Sequence, residues 1–226
     1  MSKAEENHTV ATAGLVVRAC CRTAPERATY FEPSDSPADI ELVIRPTTEA
    51  DLVGDPVVAH HEAGHAVVGL LFGMLLTRVV AGTGGFVRWA TKAPTLRAHL
   101  LMTLADDFSG GLVVRWEYRP TDAELTPWLD LIRQPAGGSC DRCQIMRALV
   151  VEAGLDAPDA VVLAAYRAAE IETLAILRRT DVRAAIRAVA DALMTAGELT
   201  GDAATAIAAR FIAPGELTKE TIHENS

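Results

Sequence analysis

The chain has 226 residues, half of them apolar, so it can bury a substantial core and is long enough for one catalytic domain with an appendage. Its 21 basic against 30 acidic residues leave a formal charge of −9, and no basic block appears anywhere, which argues against a nucleic-acid binder that neutralises phosphates. The opening MSKAEENHTVATAG lacks the basic and apolar regions of an export signal, and the most apolar run, VVGLLFGMLL at 67–76, is too short for a membrane span. A cytoplasmic location is expected.

Residues 1–50 are polar and weakly periodic, and a loosely ordered lead is predicted there. Its short apolar pieces are GLVVRACC and IELVIRP, the latter suited to a strand. From Pro56 the pattern changes. PVVAHHEAGHAVVGLLFG places Val57, Val58, His61, His65, Val68 and Phe72 near one helical stripe, with Gly73 as its end. TRVVA (77–81) and FVRWA (86–90) follow as two β-rich runs, and Gly82-Thr83-Gly84-Gly85 between them has the glycines of a hairpin turn.

Helical patterning resumes after Pro94 and runs to about Tyr118, with Ser109-Gly110-Gly111 as an interruption. A connector containing Pro and Trp over 119–138 leads to a helix with Ser139 as cap and Gly154 as stop. The remainder reads as an Ala-rich bundle: 157–179, then 181–196 between Thr180 and Gly197, then 201–211 capped by Thr200.

The four cysteines, Cys20, Cys21, Cys140 and Cys143, form two tight pairs far apart. A disulfide framework is not expected in a cytoplasmic chain of this size, and adjacent Cys20-Cys21 does not have the spacing of a zinc knuckle. Cys140 and Cys143 read best as small helix residues, since cysteine is often buried.

Chemistry concentrates in HHEAGHAVVGLL, 60–71. His61 and His65 stand four apart, which in a helix stacks both imidazoles on one face, and Glu62 completes H-E-x-x-H. In that pattern two histidines bind Zn²⁺ and the glutamate takes the proton of a water. Three adjacent ionisable groups on a mostly buried helix are costly unless a cation compensates them. His60, one step round the helix, points off the ligand face. A catalytic zinc commonly takes three protein ligands, and spacing leaves the third open among His99, Asp106, Asp107, Glu117, Glu124, Cys140, Asp141 and Cys143.

HEAGHAVVGLL resembles the H-E-A-G-H-A helix in the peptidase domain of FtsH-type, AAA-associated zinc proteases, and the similarity continues in order over about residues 56–212. VVAGTGGFVRW resembles that family's short sheet, LLMTLADDFSGG its helix with paired glycines, and GGSCDRCQ its Gly-Ala-Ser-Asn-Asp segment. IETLAILRRTDVRAAIRAVADALMTAGELTGDAATAI resembles its closing helices. The resemblance implies that Asp141 is the third zinc ligand. The implied fold is mainly α: a zincin-like helical domain over 51–215 with a small β-hairpin or sheet beside the H-E-x-x-H helix and a C-terminal helical bundle. A flexible tail over 216–226 follows.

The departures are as specific. No G-x-x-x-x-G-K-[ST] is present, so the chain carries no ATPase loop of its own. Where the family has Ala-Ala-Glu-Glu after the glycines, this chain has Leu112-Val113-Val114-Arg115-Trp116-Glu117, and Glu117 is either the substitute for the carboxylate that orients a ligating histidine or an ordinary helix-surface charge.

The expected activity is zinc-dependent peptide hydrolysis in unstructured peptides or protein tails. Glu62 serves as base, and Phe86, Val87 and Arg88 offer a strand edge that aligns the substrate. Two alternatives remain: a non-proteolytic zinc enzyme acting on a small amide or in biosynthesis, and a non-catalytic binding or regulatory module. The expected partners are a peptide or small amide substrate, with homo-oligomers or a separate ATPase implied by the family.

Overall fold

The computed structural model describes residues 15–19, 29–33, 55–81, 85–114, 119–133 and 140–218. In chain order these form β1 (Leu15–Ala19), β2 (Thr29–Pro33), α1 (Pro56–Leu71), β3 (Leu76–Val80), β4 (Phe86–Trp89), α2 (Leu96–Val114), α3 (Asp122–Arg133) and α4 (Asp141–Ala153). They continue with α5 (Asp159–Arg178), α6 (Thr180–Ala196), β5 (Glu198–Thr200) and α7 (Gly201–Ala208). The fold is mainly helical with a small three-stranded antiparallel sheet. No helix among the described residues is long and apolar enough to cross a membrane.

Helix α1 starts where Asp55 accepts a hydrogen bond from the Val57 amide at 2.8 Å, with Pro56 in the first turn, where its missing N–H costs nothing. It ends at Phe72, and Gly73 (φ +73°) turns the chain back by donating to Leu70 O. Every residue from Glu62 to Leu71 is buried. Helix α1 is thus the central element, packed against α2 and α6. The chain returns to its C-terminal end late, when the Gly215 amide also donates to Leu70 O and Thr218 Oγ1 donates to Phe72 O.

Strand β3 is the middle of the sheet, in the order β4-β3-β5. Val79 pairs with Val87 on one side and Leu199 on the other, and the register shifts between Leu76 and Arg78. The predicted hairpin partners are therefore correct, while its turn at 82–84 lies outside the described residues. Strand β5 is an addition, since three residues between a helix stop and a helix cap leave no periodic signal. It brings Gly201 over β3, where an added Cβ would lie 1.9 Å from the Leu76 carbonyl oxygen.

Helix α2 corrects the predicted interruption, because it runs unbroken through Ser109-Gly110-Gly111. Two glycines cost roughly 1 kcal/mol each in a helix. Packing along α1 outweighs this: at Gly64 an added Cβ would lie 2.3 Å from Ser109 Oγ. Helix α3 corrects the predicted connector. Thr121 and Glu124 cap it reciprocally, with the Thr121 amide donating to Glu124 Oε2 at 2.6 Å, and Leu125, Trp128 and Leu129 form its buried stripe despite Pro127.

Three helix ends follow the sequence closely. Gly154 and Gly197 have positive φ at the ends of α4 and α6, and Thr200 Oγ1 accepts from the Ala203 amide. Two predicted caps move by one residue: Cys140 occupies the N-cap of α4 and Arg179 that of α6. Ser139 lies outside the described residues. In the lead, β1 pairs antiparallel with β2, two strands at positions the sequence reading did not assign, while the predicted strand IELVIRP lies outside the described residues.

Candidate metal centre

The site is built from residues of two helices. One turn of α1 carries His61 and His65, whose rings stand 5.3 Å apart at 86°. The first residue of α4, Asp141, faces them: its Oδ2 lies 3.8 Å from His61 Nε2 and its Oδ1 3.9 Å from His65 Nε2. One ligand atom from each residue falls within 4.8 Å of the others. These three residues can hold a metal ion.

His65 is held by a bond from outside the site. Its Nδ1 donates to Met102 O on α2 at 3.2 Å, which orients the ring and leaves Nε2 facing Asp141. The close crossing at Gly64 and Ser109 keeps α2 near enough for this bond. Asp141 gains from its place at the start of α4, where the helix favours negative charge, and its Oδ1 accepts from Gln144 Nε2 at 3.3 Å. Burial pushes the Asp141 carboxyl upward, but the hydrogen bond from His61 and the charges of His65 and His61 outweigh it, so its pKa lies below the ordinary value. It is therefore a carboxylate, as a metal ligand must be.

The donor set fits zinc. Two imidazole nitrogens and one carboxylate oxygen are a catalytic ligand set that leaves a fourth position open. A tetrahedral ion with bonds of ~2.1 Å keeps its donors about 3.4 Å apart. The carboxylate-to-imidazole spacings exceed this by only about half an ångström, within reach of small side-chain rotations.

Glu62 is 4 % exposed and lines, with His65 and Asp141, a cleft of about 650 Å³. Gly85, just before β4, sits so close that an added Cβ would lie 2.5 Å from Glu62 Oε1. Strand β4 is the outer strand of its sheet among the described residues, and Phe86, Val87 and Trp89 line the cleft. Arg88 instead places its guanidinium 5.5 Å from the centre of the Phe86 ring.

The other ligand candidates separate clearly. His99 lines the cleft but does not join the three-residue cluster; burial, then the charge of His65, lowers its pKa despite the opposing pull of Asp141. Glu124 caps α3, Cys143 is fully buried in the apolar core, and half-buried Cys140 packs against that core. His60 turns back to Pro56 O at 2.8 Å. Glu117 and the side chains of Asp106 and Asp107 lie outside the described residues. Sequence reasoning did not single out Trp89, Lys92 or Gln144, which the fold brings to the same cleft from the end of β4 with the segment just after it, and from α4.

No protein-family model matches the chain, and none of the curated proteins matches it. The likeness to FtsH-type peptidases rests on the residues quoted above, and the case for the site on its geometry.

Proposed function

We propose that the protein is a zinc-dependent hydrolase of peptide bonds, acting on unstructured peptides or protein tails. The observation that carries this reading is the convergence of His61, His65 and Asp141, from segments about eighty residues apart, beside the buried carboxylate of Glu62. Zn²⁺ held by those three residues would make a water acidic enough to deprotonate near neutral pH and would polarise an amide carbonyl.

The chain's own groups supply the rest. Glu62 takes the proton of the attacking water and delivers it to the leaving amine. Met102 O holds the His65 ring in the ligating orientation. The outer edge of β4 offers backbone donors and acceptors along which an extended peptide can lie, and the apolar walls of the cleft exclude competing water. The glutamate favours a catalytic role over a purely binding one, since a site that only held metal would have no use for a base beside it.

Zinc content and turnover of an unstructured protein, measured on the same samples, test this reading. Wild type should bind one zinc and cleave. Glu62→Gln should keep the zinc and lose about 10²- to 10⁴-fold in kcat, and Asp141→Asn should bind zinc more weakly. Zinc binding without amide cleavage would replace the peptidase by a non-proteolytic zinc enzyme, and absence of zinc would end the proposal.

A further inference from the structure

The cleft is lined by charged, polar and apolar groups. Glu62, His65 and Asp141 stand at the metal site; Met74, Val87, Trp89 and Met102 add apolar lining and His99, Thr103 and Gln144 polar lining; and Lys92 enters from the segment between β4 and the start of α2. Among the described residues Lys92 makes no ion pair and is the only lysine or arginine lining the cleft. In a chain with a formal charge of −9 and three lysines in all, a lysine lining this cleft is a specific feature.

The floor is also purpose-shaped. Gly69 of α1 makes room for the Trp89 ring, whose Cη2 would lie 2.2 Å from a Cβ at that position. The length of the cleft follows from α2. Met102 bonds His65 of the metal site, and Leu96, which also lines the cleft, is six residues earlier, about 9 Å along the helix axis.

We infer that Lys92 receives the free carboxylate of the substrate's C-terminus, so that the cleft accepts acyl amino acids and peptide tails cut one or two residues from their end. An extended chain advances ~3.3–3.6 Å per residue, so one or two residues plus the reach of a lysine side chain cover the roughly 9 Å that separates Met102, beside the metal site, from Leu96, near Lys92 in sequence. Charge points the same way. With a dication held, Glu62 and Asp141 are neutralised and Lys92 leaves the cleft with one net positive charge, the complement of a monoanion.

This inference rests on the zinc-hydrolase reading for the substrate's orientation, but its test needs no turnover. The probes are N-acetyl-L-phenylalanine and its C-terminal amide, titrated by NMR into wild type, Lys92→Gln and Glu62→Gln, each with zinc and without. In zinc-loaded wild type the acid should bind about fivefold more tightly than the amide, the size of one partly exposed ion pair. Lys92→Gln should abolish that preference and Glu62→Gln should retain it. Equal binding of acid and amide by wild type, no binding of either, or a preference that survives Lys92→Gln because the carboxylate sits on the zinc, each overturns the assignment. If peptide acids and peptide amides are cleaved equally well, the hydrolase stands and the role of Lys92 falls; if the acid preference appears without any cleavage, the reverse holds.

Discussion

The half of the molecule around α1 and the half formed by α5, α6 and α7 are held by different means. Around α1, glycines bring elements into contact so close that a methyl group would collide: Gly64 with Ser109, Gly69 with Trp89, Gly85 with Glu62. Apart from the close approach of Gly201 to Leu76 where α7 meets β3, the C-terminal helices pack apolar side chains such as Ile186, Val189 and Leu193 and carry ion pairs on their surfaces. Arg179 bonds Asp181 at 2.6 Å and Glu216 at 2.7 Å, Arg167 reaches Asp122, Arg97 reaches Glu172, and Arg133 pairs with Asp159. Tight crossings fix the positions of the proposed ligands and base; the partly exposed pairs fix little. The first half should therefore be intolerant where it bears on chemistry, and the second tolerant at its surface.

The largest effect is expected where a glycine abuts the base. Gly85→Ala drives a methyl group into Glu62, and displacing a reacting group by about 1 Å costs on the order of 10²-fold in rate. Because the Glu62 side chain can move aside, the melting temperature should stay near that of wild type. A large fall in Tm with unchanged turnover would show that Gly85 serves folding alone.

Gly64→Ala probes the crossing itself. Its Cβ meets Ser109 and, at 2.8 Å, the backbone oxygen of Ala105, which cannot rotate away. Denaturant unfolding should show a loss of about 1–3 kcal/mol. Zinc affinity should fall with it, because α2 carries the Met102 carbonyl that orients His65. In the other half, Arg179→Ala removes two partly buried ion pairs at the surface and should cost about 1 kcal/mol, with zinc binding unchanged. A comparable loss of zinc in both variants would erase the contrast between the halves.

Acidity has the smallest effect. His99, kept below the ordinary imidazole range mainly by burial, favours the neutral ring in the folded state. Its contribution to stability is therefore complete above about pH 6.5 and declines as pH falls toward its folded value. Asp141, also lowered, contributes above the ordinary carboxylate value and loses that contribution in stronger acid. Thermal melts of zinc-free protein should show Tm falling below about pH 6.5, and His99→Gln should flatten the first part of that fall.

Part of this was legible in the sequence. The spacing of His61 and His65 on an apolar helical stripe, the two β-rich runs and the glycine stops at Gly154 and Gly197 are local signals, and the structure places them as read. Spacing left eight candidates for the third ligand, and Asp141 came from resemblance; its proximity to the histidines depends on how α4 docks, which no local pattern records. Helix α3 was hidden by Pro127, although its Thr121–Glu124 cap was there to be read. The unbroken course of α2 through Gly110-Gly111 reflects tertiary packing overriding propensity. Lys92 and Trp89 reach the cleft only through the pairing of β4 with β3 and the seat that Gly69 provides, so their place was invisible until the chain was folded.

The central claim is that one ion is shared by His61, His65 and Asp141, and diffraction from crystals grown with Zn²⁺, recorded on both sides of the zinc absorption edge, tests it most directly. A single anomalous peak about 2.1 Å from a nitrogen of each ring and from an Asp141 oxygen is the expected result. A peak elsewhere, or none, with the Asp141 carboxylate turned away from the two rings, would contradict it.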